Sequence, residues 1–143
     1  MFEKILYPTD LSPVSQRVIE YCKRLRDAGT REVVLIHVIE TDQNIEKMPE
    51  SMRNSYMSLL LKEPQKELDK IKEELENVGI KIKIRIEHGN PIKEILRIEK
   101  EENVSATILG SHGKSNIQEM LLGSVSENVI RKSIKPVIVV KRV

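Results

Sequence analysis

The residues whose types and spacing could do chemistry concentrate between Gly110 and Ser124, which reads Gly-Ser-His-Gly-Lys-Ser-Asn-Ile-Gln-Glu-Met-Leu-Leu-Gly-Ser. An apolar, strand-like run, Val104 to Leu109, ends at Gly110; Gly113 follows, and Gly123 stands immediately before a helix-like stretch that opens on Ser124. Glycine lets a backbone come close to a ligand. A helix N-terminus adds unpaired N–H groups and partial positive charge. Three glycines after a strand and before a helix therefore point to main-chain amides gathered around an anion, most simply a phosphate. Turn-making alone would explain one of them, but all three together favour the anion. His112 lies inside the loop and could reach a phosphate. Ser124 with Glu127 forms a capping box, and its hydroxyl could also donate to the anion. Asp10, after an earlier strand, is either a turn residue or an acceptor for a ribose hydroxyl or an adenine amino group.

Other chemistries find little support. Gly113-Lys114-Ser115 resembles the tail of a P-loop, but the glycine required five positions earlier is Ile108, so Lys114 is not a P-loop lysine. No Gly-x-Gly-x-x-Gly occurs. His37, His88 and His112 are scattered without metal-ligand spacing, and His37 reads as a satisfied core group in a buried strand. No serine–histidine–acid set or paired carboxylates stand out. Cys22, the only cysteine, falls on the apolar stripe of a helix and reads as a core thiol.

The elements that must position these residues follow from periodicity. Phe2 to Tyr7 is an expected strand stopped by Pro8-Thr9-Asp10, after which Ser12 caps a helix with Pro13 at its first position. Val14, Val18, Cys22 and Leu25 recur at helical spacing, and Gly29 ends that helix. Glu32 to Ile39 is a continuous apolar strand, as suits burial on both faces. Thr41 to Lys62 reads as a loop and then a helix, with Pro64 as a break or kink. A further helix carries Leu68, Ile71, Leu75 and Val78 and stops at Gly79. Ile80 to Glu87 alternates strictly, which predicts an edge strand with one wet face guarded by lysines. Asn90-Pro91 caps a helix with Ile92, Ile95, Leu96 and Ile98 inward. Val125, Val129 and Ile130 mark the last helix, and Val137 to Val140 the last strand. Strands and helices alternate throughout, which predicts a doubly wound parallel sheet. Such sheets bind ligands beyond the strand carboxyl ends, where strand order reverses.

The 143 residues, 39% hydrophobic and 32% charged, fit one soluble domain spanning 1–143. A net charge of +2, from 24 basic and 22 acidic residues, gives no reason to expect nucleic acid or a membrane as partner. The start carries no long apolar stretch of a signal peptide, and no stretch has the length of a membrane span, so a cytoplasmic location is expected.

The spaced set Gly110, Gly113, Gly123 and Ser124, Gly-x2-Gly-x9-Gly-Ser, resembles the ATP-binding signature of the universal stress protein family. The flanks agree: Tyr7-Pro8-Thr9-Asp10-Leu11-Ser12, Leu35-Ile36-His37-Val38, Gly89-Asn90-Pro91 and Pro136-Val137-Ile138-Val139-Val140 are similar to its opening turn, second strand, third-helix entry and terminal strand. The resemblance implies an adenine nucleotide alpha hydrolase-like sheet of order 3-2-1-4-5 with helices on both faces. It implies an ATP site on whose phosphates magnesium can sit without protein ligands, and a homodimer, which the apolar edge strand Val137 to Val140 would form by pairing with its own copy. By that analogy Pro8, Thr9 and Asp10 line the adenosine side and Val38 touches the base. Gly110, Gly113, Gly123 and Ser124 hold phosphates, with Val125, Ser126, Leu109 and His112 adjoining. The expected function is a dimeric nucleotide-dependent switch or sensor in stress response. The alternatives are slow ATP hydrolysis or autophosphorylation, and an interaction module without nucleotide. AMP and cyclic nucleotides stay open as ligands.

Overall fold

The computed structural model describes residues 1–12, 15–41, 43–111 and 124–141. The strands are β1 (Lys4–Pro8), β2 (Glu32–Glu40), β3 (Lys81–Gly89), β4 (Ala106–Gly110) and β5 (Val137–Val140). The helices are α1 (Ser15–Leu25), α2 (Gln43–Glu46), α3 (Glu50–Glu76), α4 (Pro91–Glu101) and α5 (Ser124–Lys132). All five strands form one parallel sheet of order β3-β2-β1-β4-β5, the order expected from the resemblance.

The sheet is covered on both sides. Val33, Val34, Leu35 and Ile36 of β2 are wholly buried, which accounts for their unbroken apolar run. Successive residues point to opposite faces. Ile5, Tyr7, Val33 and Leu35 pack with Val18, Ile19 and Cys22 of α1 and Leu68, Ile71 and Leu75 of α3. Leu6, Val34, Ile36 and Leu109 pack with Ile95 and Ile98 of α4 and Val129 of α5. Ser12, the expected cap of α1, is buried; Pro13, expected at the first helical position, and Val14 lie outside the described residues. The cap of α4 is present: the Asn90 side chain accepts from the Lys93 N–H at 3.0 Å, with Pro91 at the first helical position. Among the described residues no helix is long and apolar enough to cross a membrane.

Two expectations are corrected. Pro64 neither ends nor divides a helix; it sits inside α3, which runs 27 residues, about 40 Å. The buried residues of α3 are Leu68, Ile71 and Leu75, all C-terminal to the proline. The hydrogen bond that proline cannot make falls where solvent can replace it. Gly79, with φ of +88°, then turns the chain into β3. Upstream of Pro64, Met52, Tyr56 and Leu59 stand exposed.

The second correction is partial: β3 is an edge strand whose Lys81 and Lys83 are exposed as expected, but Arg85 and Glu87 on the same face are half-buried. Lys83 and Arg85 both reach Glu102, at 2.8 and 3.0 Å, and Lys4 joins at 3.2 Å. Arg85 also pairs with Glu87 and Glu101, and Arg97 of α4 pairs with Glu87, Glu94 and Glu101. This cluster covers the Arg85–Glu87 end of that face and ties β3 to α4.

Candidate functional site

β1 and β4 are neighbours, and the helices that follow them lie on opposite faces of the sheet. After β1 the chain enters α1, which packs with α3; α5, after β4, packs with α4. Strand order reverses here, so the crevice between the two exits is where a ligand of such a sheet binds.

The exit of β1 is a tightly bonded turn. The Thr9 N–H donates to the Ile36 carbonyl at 2.9 Å, and Nδ1 of His37 lies 2.9 Å from the Thr9 carbonyl. The Leu11 N–H donates to Thr9 Oγ1 at 3.0 Å, and the Ser12 N–H donates to Asp10 Oδ1 at 2.9 Å. These bonds hold Leu11 at φ of +63°, a left-handed conformation costing a residue with a Cβ about 1–2 kcal/mol. Strain that the surroundings over-determine in this way clusters at ligand sites. Thr9 and Ser12 are buried, whereas Asp10 and Pro8 are half-exposed at the sheet edge.

The exit of β4 is bonded differently. Ser126 Oγ donates to the Gly110 carbonyl at 2.7 Å, and the Ser111 N–H donates to the Val140 carbonyl at 2.9 Å. Ser126 thus ties the first turn of α5 to the last residue of β4. Ser124 opens α5 at the surface, and Glu127 accepts from Arg131 one turn on at 2.9 Å. Leu109 is a core residue; Val38, at the end of β2, and Val125 pack partly exposed against the same apolar cluster.

The structure therefore brings Val38, Leu109 and Val125 into one apolar cluster and places Pro8, Thr9, Asp10, Gly110, Ser124 and Ser126 at the carboxyl edge of β1 and β4. His112, Gly113 and Gly123 lie outside the described residues. The described residues place there a half-exposed carboxylate, Asp10, which can accept from a polar ligand, and a partly exposed valine, Val38, which can border a flat apolar part. No group of three or more His, Cys, Asp or Glu side chains that could hold a metal occurs among the described residues. The sequence left unread the contact of His37 with the Thr9 carbonyl and the backbone of Leu11. The parallel register, with Pro8 opposite Ile36, is the signal that would have placed His37 beside Thr9.

A second buried polar group lies in the α4–α5 layer. Glu99, 1% exposed, accepts from Thr107 Oγ1 at 2.7 Å and from Ser133 Oγ at 2.7 Å. It joins α4, β4 and the chain after α5 from within the core.

A model of the universal stress protein family matches residues 1–141. Universal stress protein MJ0577 of Methanocaldococcus jannaschii is 41% identical over an alignment of 156 residues, covering 99% of this chain and 96% of the relative. The solved structure of MJ0577 superposes with a TM-score of 0.88 at 45% identity, covering 100% of this chain and 98% of the other. Two solved structures at 20% identity share the fold. One is a universal stress protein in complex with cAMP, with a TM-score of 0.69 and 98% and 97% coverage. The other is the universal stress protein from Archaeoglobus fulgidus in complex with dAMP, with a TM-score of 0.68 and 97% and 98% coverage. The sheet order and the switch-point turn agree with a match of this length: the chain belongs to the universal stress protein family and has its nucleotide alpha hydrolase-like fold.

Proposed function

We propose that this chain is a single-domain nucleotide-binding stress protein whose ligand is ATP, carried with magnesium on its phosphates, and that it acts as a dimeric switch in the cytoplasm. The observation that carries the reading is the strained, four-times-bonded turn after β1, which presents Asp10 at the crevice where strand order reverses. Adenine nucleotides on two proteins of this fold, cAMP and dAMP, support the ligand class.

In this reading Asp10 accepts from the ribose hydroxyls, backbone at Pro8 and Thr9 borders the adenosine, and the partly exposed Val38 packs against the base. Gly110, Gly113, Gly123 and Ser124 offer amides to the phosphates, aided by the dipole of α5. Leu109 and Val125 form the apolar floor and His112 adjoins the phosphates. Ser126 has its proton on the Gly110 carbonyl, so it holds the end of β4 in place and offers a ligand only acceptor lone pairs. The metal would neutralise phosphate charge without protein ligands of its own.

The dimer is proposed through β5. That strand is apolar, stands at the sheet edge, and leaves Val137, Ile138 and Val139 half-exposed. Pairing with a second copy about a two-fold axis would cover it.

The test is a calorimetric titration with ATP, AMP and cAMP on the wild type and on Gly123→Val. Saturable ATP binding, weakened by about tenfold or more (1.4 kcal/mol) in the variant, is the expected result. Failure of all three nucleotides to bind at millimolar concentration would leave an interaction module without nucleotide. ATP turnover abolished by the same substitution would favour a slow hydrolase instead.

A further inference from the structure

We infer that His37 is a positioning residue for the turn that receives the nucleotide, an inference that rests on the reading of Asp10 as the ribose acceptor. His37 is 8% exposed and its Nδ1 lies 2.9 Å from the Thr9 carbonyl. A carbonyl oxygen can only accept, so Nδ1 is the donor of this bond. The Thr9 N–H goes to the Ile36 carbonyl at 2.9 Å. Two successive residues of β2 therefore grip Thr9 from both sides, Ile36 by its backbone and His37 by its ring.

The position of that grip gives it its effect. The register of β1 on β2 ends at Pro8 opposite Ile36. Thr9 makes one more ladder bond, and the chain then leaves the sheet. At the point of departure the imidazole takes the next carbonyl. Leu11, two residues on, is left-handed, and Asp10 between them is committed through Oδ1 to the Ser12 N–H. With the Thr9 carbonyl released, the peptide leading into Asp10 loses the bond by which β2 fixes its orientation. Leu11 can then relax toward a negative φ, carrying the Asp10 carboxylate away from the crevice. His37 lies on the face of β2 that carries Val33 and Leu35, and Val38 on the opposite face. It acts on the ligand through the turn and does not touch the base itself.

The experiment compares wild type with His37→Leu, which removes the donor, and His37→Asn, whose amide nitrogen stands where Nδ1 does. Each folded protein is titrated calorimetrically with ATP and with 2′,3′-dideoxy-ATP, and hydrogen exchange is followed at the Leu11 and Ser12 amides. The wild type is expected to prefer ATP by about tenfold. His37→Leu is expected to bind the two nucleotides equally and to exchange both amides at least about tenfold faster, and His37→Asn to restore preference and protection. If His37→Leu does not fold, His37→Gln, with its donor one bond farther out, takes its place and is expected to behave as a loss.

An unchanged preference in His37→Leu, or an equal weakening of both nucleotides, overturns the positioning role. So does unchanged amide protection, whatever the nucleotides do. A wild type that binds ATP without preferring it over the dideoxy form removes the ribose role of Asp10, and this inference with it. A wild type that binds neither nucleotide refutes the site reading instead, and the amide exchange still decides whether His37 holds the turn.

Discussion

Glu102 offers a quantitative test of what holds the β3 edge. Its carboxylate, 6% exposed, is held by Lys83, Lys4 and Arg85. The hydrogen bond from Lys83 is the largest influence, and with Lys4 and Arg85 it outweighs the cost of burial, lowering the carboxyl from 4.5 to about 2. That interval corresponds to ~3 kcal/mol of preference for the ionised form in the fold. Lys83 is 52% and Lys4 28% exposed, so solvent screening reduces the net contribution to about 1–2 kcal/mol. The sign is that of a carboxylate with a depressed folded-state value. The contribution is complete above about pH 4.5 and disappears as the pH falls toward 2. Urea unfolding of wild type and Glu102→Gln, at pH 7 and again near pH 2.5, reads this directly; a chloride denaturant would screen the cluster. The wild type is expected to lead by about 1–2 kcal/mol at pH 7, and the gap to shrink to a few tenths at the acid end. A gap of the same size at both pH values would mean that Glu102 acts through packing and not through its charge, and would refute the ion-cluster account.

Two further expectations concern the core. Glu99→Leu removes the acceptor of Thr107 and Ser133; Ser133 keeps the Lys135 carbonyl at 3.1 Å, so the buried Thr107 hydroxyl is the one orphaned, and unfolding free energy should fall by about 1–3 kcal/mol. Adding Thr107→Val should recover part of that loss, because the orphan disappears; strictly additive losses in the double-mutant cycle would count against the network. Cys22 is buried in the cluster shared with α1 and α3, and burial pushes its thiol up to about 12. It should therefore resist an aromatic disulfide reagent at pH 8 and react at the rate of unfolding as urea is raised. Rapid labelling of the native protein would contradict its burial.

Periodicity made most of the architecture legible. The run Val33 to Ile36 could only be a strand buried on both faces, and Asn90-Pro91 announced a helix that begins there. The alternation of Ile82, Ile84 and Ile86 gave the β3 edge. It could not reveal that Glu102, seventeen residues beyond Arg85, returns to pair with it. Pro64 misled because local rules treat proline as a breaker, while Leu68, Ile71 and Leu75 anchor a helix long enough to carry it through its unburied half. At the site, the residue types were visible and their coupling was not. Asp10 reads as a turn former in any sequence. The left-handed Leu11 and the ring of His37 on the Thr9 carbonyl are consequences of packing one parallel strand beside another. Glu99 escaped notice because a lone glutamate in an amphipathic helix ordinarily faces water.

The central claim is that an adenine nucleotide lies between the exits of β1 and β4. A crystal structure of this chain grown with ATP and magnesium tests it most directly. The expected density has the ribose within hydrogen-bond distance of Asp10, the base against Val38, and the phosphates at the end of β4 beside the first turn of α5. Nucleotide bound elsewhere on the molecule, or this crevice empty at saturating ATP, would contradict the claim.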